Sequence, residues 1–439
     1  MSRLDEIASS LAGYDPDALR VEEVQVFLGR LTARTELSEA ERIALRDALG
    51  RVLSEDIVSP VSVPPHDNSA MDGFAFDGSQ LPEEVDVPAD AMLELRVVGT
   101  ALAGAAWRGQ VAAGEAVRIM TGAVMPDGLD TVVAQEFCSV EGEKLRFPAR
   151  ALRRGDNRRR AGEDLQKGQP ALLRGEIVSP AALGMMASLG LQQVPVWRRL
   201  RVAVFSTGDE ILCLGEPPRD GAIYDSNRFT LLGLLARLGC ETIDLGLVRD
   251  DPQALELALR RAASEADAII SSGGVSIGEA DHTRAVMQRL GEMAFWRVAL
   301  RPGRPMAVGL IGSDAAGRGP AVLFGLPGNP VAVMVSFLAF VRPALLRMMG
   351  CNAACAAPPP LLRARSAGAI RKKPGRTEYQ RGRVQAVPGA LPEVRIAANQ
   401  GSGVLSSMVE ANGLVVLHHE QGGVEAGDEV DVMMFNGVL

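Results

Sequence analysis

From Arg201 to Gly350 the chain alternates apolar runs of strand length with segments of helical period, and no other feature limits its fold as much. RVAVFSTGDE is a buried strand that stops at a Ser-Thr-Gly turn, and DSNRFTLLGLLARLG is a helix with Asp225 or Ser226 as N-cap and Gly239 just past its end. TIDLGLV is the next strand, DDPQALELALRRAASEA the next helix with Pro252 in its first turn, and AII a third strand. Strands separated by helices of this length pair in parallel through right-handed crossovers, so an α/β domain with a parallel-rich sheet is expected here. Ligands in such sheets sit beyond the carboxyl ends of the strands. STGDE, RDDP, SSGGVSIGEAD and, after the strand AVLF, GLPGNP all fall on that edge.

The flanking segments have other periods. Residues 21–49 hold two helical patterns, VEEVQVFLGRL and SEAERIALRDALG, the second opening with the capping-box pair Ser38 and Glu41. Between Asp86 and Phe147, LELRVVG, EAVRIM and DTVVAQEF are short strands broken by glycine, which predicts a compact β domain. After the linker CNAACAAPPP come further strands, LLRARSAG, EVRIAAN, NGLVVL and DEVDVMMF. Gly319 to Val341 carry no charge, but Gly325, Pro327, Gly328 and Pro330 interrupt them, so a strand, a turn and a buried helix are expected rather than a membrane span.

Composition narrows the function classes. A net charge of −8 over 439 residues argues against binding nucleic acid through overall charge. The five cysteines form no C-x-x-C pair and the four histidines have no zinc spacing, which fits a reduced cytoplasm. MSRLDEIASS lacks the apolar run of a secretory signal.

Serine and glycine at a strand tip let backbone N–H groups approach an oxyanion, so the strand-tip edge has the chemistry of a phosphate site. Carboxylates there are tolerable beside phosphate when Mg²⁺ bridges them, and Glu210, Asp250, Asp251 and Asp281 are the candidates. PPHDNSAMDGFAFDG, residues 64–78, has no helical or strand period; it is a rigid polar loop, either a plain connection or a functional one. ARALRRGDNRRRAGED, residues 149–164, is either a solvated face or an anion clamp in which Asp156, Glu163 and Asp164 set the geometry of the arginines. RPGRP and GRTEYQRGR raise the same choice, since the planar fork of arginine suits tetrahedral oxyanions.

DNSAMDGFA, MTGAVMPDGLDTVV, GDNRRRAGED, STGDE, SSGGVSIGEADHT, RPGRP, GLPGNPVAV and GSGVLSS, in this order from about Val21 to the C-terminus, together resemble the molybdopterin molybdenumtransferase family, which includes the gephyrin E domain. The resemblance implies a multidomain α/β and β subunit with four parts. These are an extended N-terminal dumbbell region that dimerises (1–54 and 150–195), an inserted small β domain (55–149), a central three-layer α/β molybdopterin-binding domain (196–350) and a C-terminal β barrel (358–439).

It also implies a Mg²⁺-dependent reaction in which adenylylated molybdopterin and molybdate give molybdenum cofactor and AMP. By motif, Thr207, Gly208, Asp209, Glu210, Ser272, Gly273, Gly274 and Asp281 would line the adenylate and pterin phosphate site, with Pro327, Gly328 and Asn329 beside them. Glu210, Asp250 and Asp281 are the metal candidates, and Asp67, Thr121 and Asp164 match residues used for activity. Arg301, Arg304, Arg376 and Ser402 fall where molybdate-binding groups gather, although the family commonly has KPGKP where this chain has RPGRP.

A cytoplasmic homodimer is expected, with small-molecule substrates, molybdopterin adenylyltransferase and recipient molybdoenzymes as partners, and with no nucleic acid and no membrane. The alternatives are the preceding step, adenylyl transfer onto molybdopterin, and a non-catalytic scaffold of the same fold.

Overall fold

The computed structural model describes residues 2–436 except 12, 34, 36, 83–87, 89, 275–280, 314, 316 and 318, and of 281–283 the backbone alone. The chain divides into two compact units: Met1–Glu55 with Arg174–Ser179 and Val194–Leu439, and Asp56–Leu173 with Pro180–Gln193.

In the first unit the alternating segment forms a six-stranded sheet. Its spatial order is Glu241–Val248, Arg201–Thr207, Ala268–Ser272, Ala321–Leu326, Pro305–Ile311 and Gly291–Arg297. The first four strands run parallel, Pro305–Ile311 runs against them, and Gly291–Arg297, antiparallel to that strand, runs with the first four again, which makes the sheet parallel-rich. Both faces are covered, and side-chain alternation assigns each residue to its face. Val202 and Val204 join one core with Leu231 and Leu235 of the helix Ser226–Leu238, whereas Ala203 and Phe205 join another with Leu255 and Leu259 of the helix Pro252–Glu265. The helix ends follow the sequence signals: Asp225 and Asp251 are N-caps, and Gly239 closes the first helix at φ 83°.

The uncharged stretch becomes the strand Ala321–Leu326 and a helical run, Pro330–Met348, long and apolar enough to cross a membrane by length and composition. Here it is a core element: Val331, Val333, Phe337, Phe340 and Leu345 are buried in the first core.

After the proline run, the strands Leu362–Ser366, Thr377–Gln385, Glu393–Ile396, Gly413–Leu417 and Glu429–Met434 pair in a ring, closed where Thr377–Gln385 meets Gly413–Leu417. This closed barrel is filled by Ala364, Val394, Val415 and Val432. The two-residue strand Leu300–Arg301 pairs in parallel with Thr377–Gln385, which ties the RPGRP turn to the barrel wall.

The second unit is built on another six-stranded sheet, ordered Thr131–Ala134, Gly73–Phe76, Glu115–Ile119, Met92–Ala101, Lys144–Pro148 and Ser139–Glu141. This is the expected compact β domain, with Phe74, Phe76, Leu145 and Phe147 packed on one face.

Three local expectations are corrected. SEAERIALRDALG is not a helix but the strand Ala40–Ala44 and a short 3₁₀ turn, Leu45–Asp47. Its acids serve distant arginines instead of a capping box: Glu39 accepts Arg198 Nε at 3.0 Å and Glu41 pairs with buried Arg51. Residues 64–78 are not wholly loop, because Gly73–Phe76 is a buried strand between two others. In residues 149–164, Asp156 and Glu163 do not set the arginine side chains. Asp156 accepts the backbone N–H of Arg153 and Glu163 that of Arg160, so both acids shape turns, while Arg154 pairs with Asp130 at 2.6 Å.

Candidate functional site

Three of the parallel strands end side by side, with Ser206 opposite Ser272 and Ser272 opposite Leu326. The turn after Ser272 needs glycine for two reasons. Gly273 has φ 91°, and a Cβ there would lie 2.3 Å from the carbonyl oxygen of Thr207. Its N–H donates to the Leu326 carbonyl at 3.1 Å. Beside it, Asn227 Nδ2 donates to Ser272 Oγ at 2.9 Å and to the Gly328 carbonyl at 2.7 Å, so one amide ties the SSGG turn to the GLPGNP turn. The carbonyl acceptor fixes which end of the amide points there. Asn227 Oδ1 is left buried with no hydrogen-bond partner.

A buried network supports these tips. Asp225 accepts Ser206 Oγ at 2.9 Å and Arg228 Nε at 2.9 Å, and Arg228 continues to Asp244 at 2.5 Å. The N-terminus of the helix Ser226–Leu238 is thus already capped by a carboxylate.

The opposite wall comes from the RPGRP turn and the barrel. Gly303 sits at φ 107°, where a Cβ would approach Ser336 Oγ at 2.8 Å. Arg301 Nη1 and Arg376 Nε both stand 3.7 Å from the same oxygen, Oε1 of Glu378, whose side chain is 3% exposed. Arg381 is buried behind the loop that carries Ser402. It donates from Nη2 to the Gly401 carbonyl at 2.9 Å and the Asn399 carbonyl at 3.3 Å, and from Nε to Ser407 Oγ at 3.0 Å. Burial pushes its guanidinium below its ordinary value, with the nearby charge of Arg301 adding to the effect. Ser402 is held from its other side by Val331 N–H, which donates to its carbonyl.

These walls enclose a cavity of about 630 Å³. Thr207, Gly208, Glu210, Asp250, Gly273 and Gly274 line one end, and Pro327, Gly328 and Asn329 its side. Arg301, Arg304, Arg376 and Ser402 line the other end. A second cavity of about 310 Å³ shares Thr207, Glu210, Gly273, Gly328 and Asn329, and adds Ser272 and Asn227. Glu210 folds back over Gly208, where a Cβ would meet its carboxylate at 2.6 Å.

Most of the residues singled out in the sequence therefore share one enclosure, with exceptions. Asp209 lines neither cavity; its carbonyl accepts Arg219. Asp251 is occupied as a helix cap, with Oδ2 accepting Ala254 N–H at 2.8 Å. Asp281 opens the helix Asp281–Leu290, but its side chain lies outside the described residues, as do residues 275–280. Among the described residues, no group of three His, Cys, Asp or Glu is placed to hold a metal ion.

Asp67, Thr121 and Asp164 belong to the second unit. There Asp67 Oδ1 accepts Ala161 N–H at 2.8 Å, Thr121 donates to Asp72 from both N and Oγ1, and Asp164 N–H donates to the Val63 carbonyl.

Glu378 and Asn227 carry no signal that singles them out in the sequence, and Arg381 stands out there only as one of the arginines of GRTEYQRGR, although Tyr379 and Arg381 alternate with Glu378 and Gln380 as a strand requires. Asn227 had no signal beyond its place at the start of a helix.

Three consecutive stretches of the chain match family models: residues 19–190 the "MoeA N-terminal region (domain I and II)", 203–347 the "Probable molybdopterin binding domain", and 363–435 the "MoeA C-terminal region (domain IV)". The molybdopterin molybdenumtransferase of Haemophilus influenzae is 39% identical over 92% of this chain and 95% of its own. This chain belongs to the molybdopterin molybdenumtransferase family. Another member, from Bacillus subtilis, is 31% identical over 90% of both chains. Among solved structures, a molybdopterin biosynthesis moeA protein from Pyrococcus horikoshii OT3 aligns with a TM-score of 0.77 at 28% identity, covering 95% of this chain and all of the other. In molybdopterin molybdenumtransferase terms, the cavity joins the molybdopterin-binding stretch to the C-terminal stretch that carries Arg376 and Ser402.

Proposed function

We propose that this chain inserts molybdenum from molybdate into adenylylated molybdopterin, with Mg²⁺, giving molybdenum cofactor and AMP. Family membership makes it a transferase of molybdenum-cofactor biosynthesis. The observation that carries the finer reading is a single cavity with two chemically distinct ends. At the strand tips, Gly273 and Gly274 bring backbone to the cavity with no side chain in the way, which suits phosphate. Glu210 and Asp250 add hard carboxylate oxygens, a donor set that suits Mg²⁺, with Asp281 as the third candidate. A bound ion would supply positive charge that offsets these carboxylates beside a phosphate.

At the other end Arg301, Arg304 and Arg376 present guanidiniums, and Ser402 a hydroxyl, to a tetrahedral dianion. Arg381 holds the Ser402 loop in place without lining the cavity itself. Asp67, Thr121 and Asp164 contribute to activity from the second unit, and the working form is a homodimer in which they reach a site on the partner subunit. The protein acts in the cytoplasm, receiving its substrate from molybdopterin adenylyltransferase and passing its product to molybdoenzymes.

The test is AMP release and cofactor formation from adenylylated molybdopterin, molybdate and Mg²⁺. Release that rises with molybdate and stops with EDTA is expected. No molybdate-dependent release would overturn the reading, and ATP-dependent adenylylation of molybdopterin instead would assign the preceding step.

A further inference from the structure

One buried carboxylate sits among the cations at the oxyanion end and does not itself line the cavity. Glu378 lies on the barrel strand Thr377–Gln385 in register with Arg301, and the guanidiniums of Arg301 and Arg376 converge on its Oε1, each at 3.7 Å. Its Oε2 accepts Gln380 Nε2 at 3.1 Å, which fixes the carboxylate plane. Lys372, within electrostatic reach, is committed elsewhere, donating to the Gln421 carbonyl at 2.6 Å. The two arginine side chains are about half exposed, 58% and 47%, so without an anchor each would sample many rotamers. At 3.7 Å the contacts orient these guanidiniums yet leave them donors for a ligand.

We propose that Glu378 is a positioning residue that holds Arg301 and Arg376 on one shared carboxylate and subtracts a unit of charge from the oxyanion end, thereby setting how strongly that end prefers a dianion over a monoanion of the same shape. This rests on the reading of the arginine end as an oxyanion site. Coulomb energy is linear in ligand charge, so a change of one charge in the wall acts twice as strongly, in free energy, on a dianion as on a monoanion. Loss of anchoring acts on both anions alike, because they have the same shape. The two effects therefore separate in a ratio.

The experiment measures binding of molybdate, a dianion, and perrhenate, a tetrahedral monoanion, to the full chain and to Glu378→Gln and Glu378→Asp at low salt. For Glu378→Gln, loss of anchoring weakens both anions equally while loss of the charge favours molybdate by on the order of tenfold and perrhenate by about threefold, so the preference for molybdate rises about threefold. Glu378→Asp keeps the charge with a shorter reach, and should weaken both anions while leaving the preference at the parent value. An unchanged preference in Glu378→Gln overturns the proposal. So does a Glu378→Gln chain that fails to fold beside a folded Glu378→Asp, which would assign the carboxylate to the fold. A parent chain that binds neither anion overturns the oxyanion reading itself, and the proposal with it.

Discussion

A methyl group at Gly273 would stand 2.3 Å from the carbonyl oxygen of Thr207, on a backbone already at φ 91°. Two strand tips thus meet without room for a side chain, beside the cavity that both line. Gly273→Ala should lower stability by about 2 kcal/mol or more, from left-handed strain and the displaced carbonyl together. Thermal melting checks this. A melting temperature equal to the parent's would show that the tips can separate freely.

Asn227 binds two turns through one Nδ2, so Asn227→Ala leaves the Gly328 carbonyl without that donor. Gly328 is exposed at the cavity, where water can replace the donor, so losing this bond together with the one to Ser272 costs about 0.5–1.5 kcal/mol per bond. Asn227→Asp should be worse than Asn227→Ala, because it points a carboxylate oxygen at a carbonyl. Urea unfolding of both variants gives the order, and a more stable Asp variant would contradict the assigned amide orientation.

Arg381 reaches the site only through the backbone of the Ser402 loop. Lysine has a charge but no fork, so Arg381→Lys cannot reproduce donation to Ser407, Gly401 and Asn399 together. The molybdate concentration for half-maximal AMP release should rise in this variant by on the order of tenfold, the loss of a single charged hydrogen bond of about 1.5 kcal/mol. AMP binding measured in the absence of molybdate should stay near the parent value. Equal loss of both would place Arg381 in the general support of the domain.

Glu210→Gln removes one charge from the proposed ion site and keeps the side-chain shape. The Mg²⁺ concentration needed for half-maximal AMP release should increase, and excess Mg²⁺ should restore much of the rate. A titration of rate against Mg²⁺ that superimposes on the parent curve would remove Glu210 from the metal candidates.

In the second unit, hydrogen bonds from Thr121, first from its backbone N–H and then from its hydroxyl, hold the Asp72 carboxyl below the ordinary carboxylate range. A carboxyl depressed in the folded state contributes stability that is present above its unfolded value and is lost as pH falls through the folded one. Thr121→Val removes the hydroxyl bond and keeps the backbone bond, so the Asp72 titration should move up toward the ordinary range without reaching it. Titration of the Asp72 carboxyl by NMR in parent and variant measures the shift, and an unmoved midpoint would show that the hydroxyl contributes nothing.

The α/β alternation, a helix start at Asp225 or Ser226, the stop at Gly239 and the glycine-bearing strand tips were legible in the sequence alone. All of these follow from local signals, the side-chain period and the cap chemistry, which act within a few residues. It also placed Arg301, Arg304, Arg376 and Ser402 by motif, though not what stands behind them. That Ala40–Ala44 is a strand came only with the fold, because its pairing partner, Gln193–Trp197, and the Arg198 that claims neighbouring Glu39 both lie far along the chain. Only the fold brought Glu378 beneath two arginines and Arg381 behind Ser402, since the first needs the pairing of Leu300–Arg301 with a barrel strand and the second the return of residues 399–407 onto that strand. Arg301 is distant in sequence from Glu378, and residues 399–407 from Arg381, and no local period records such pairs.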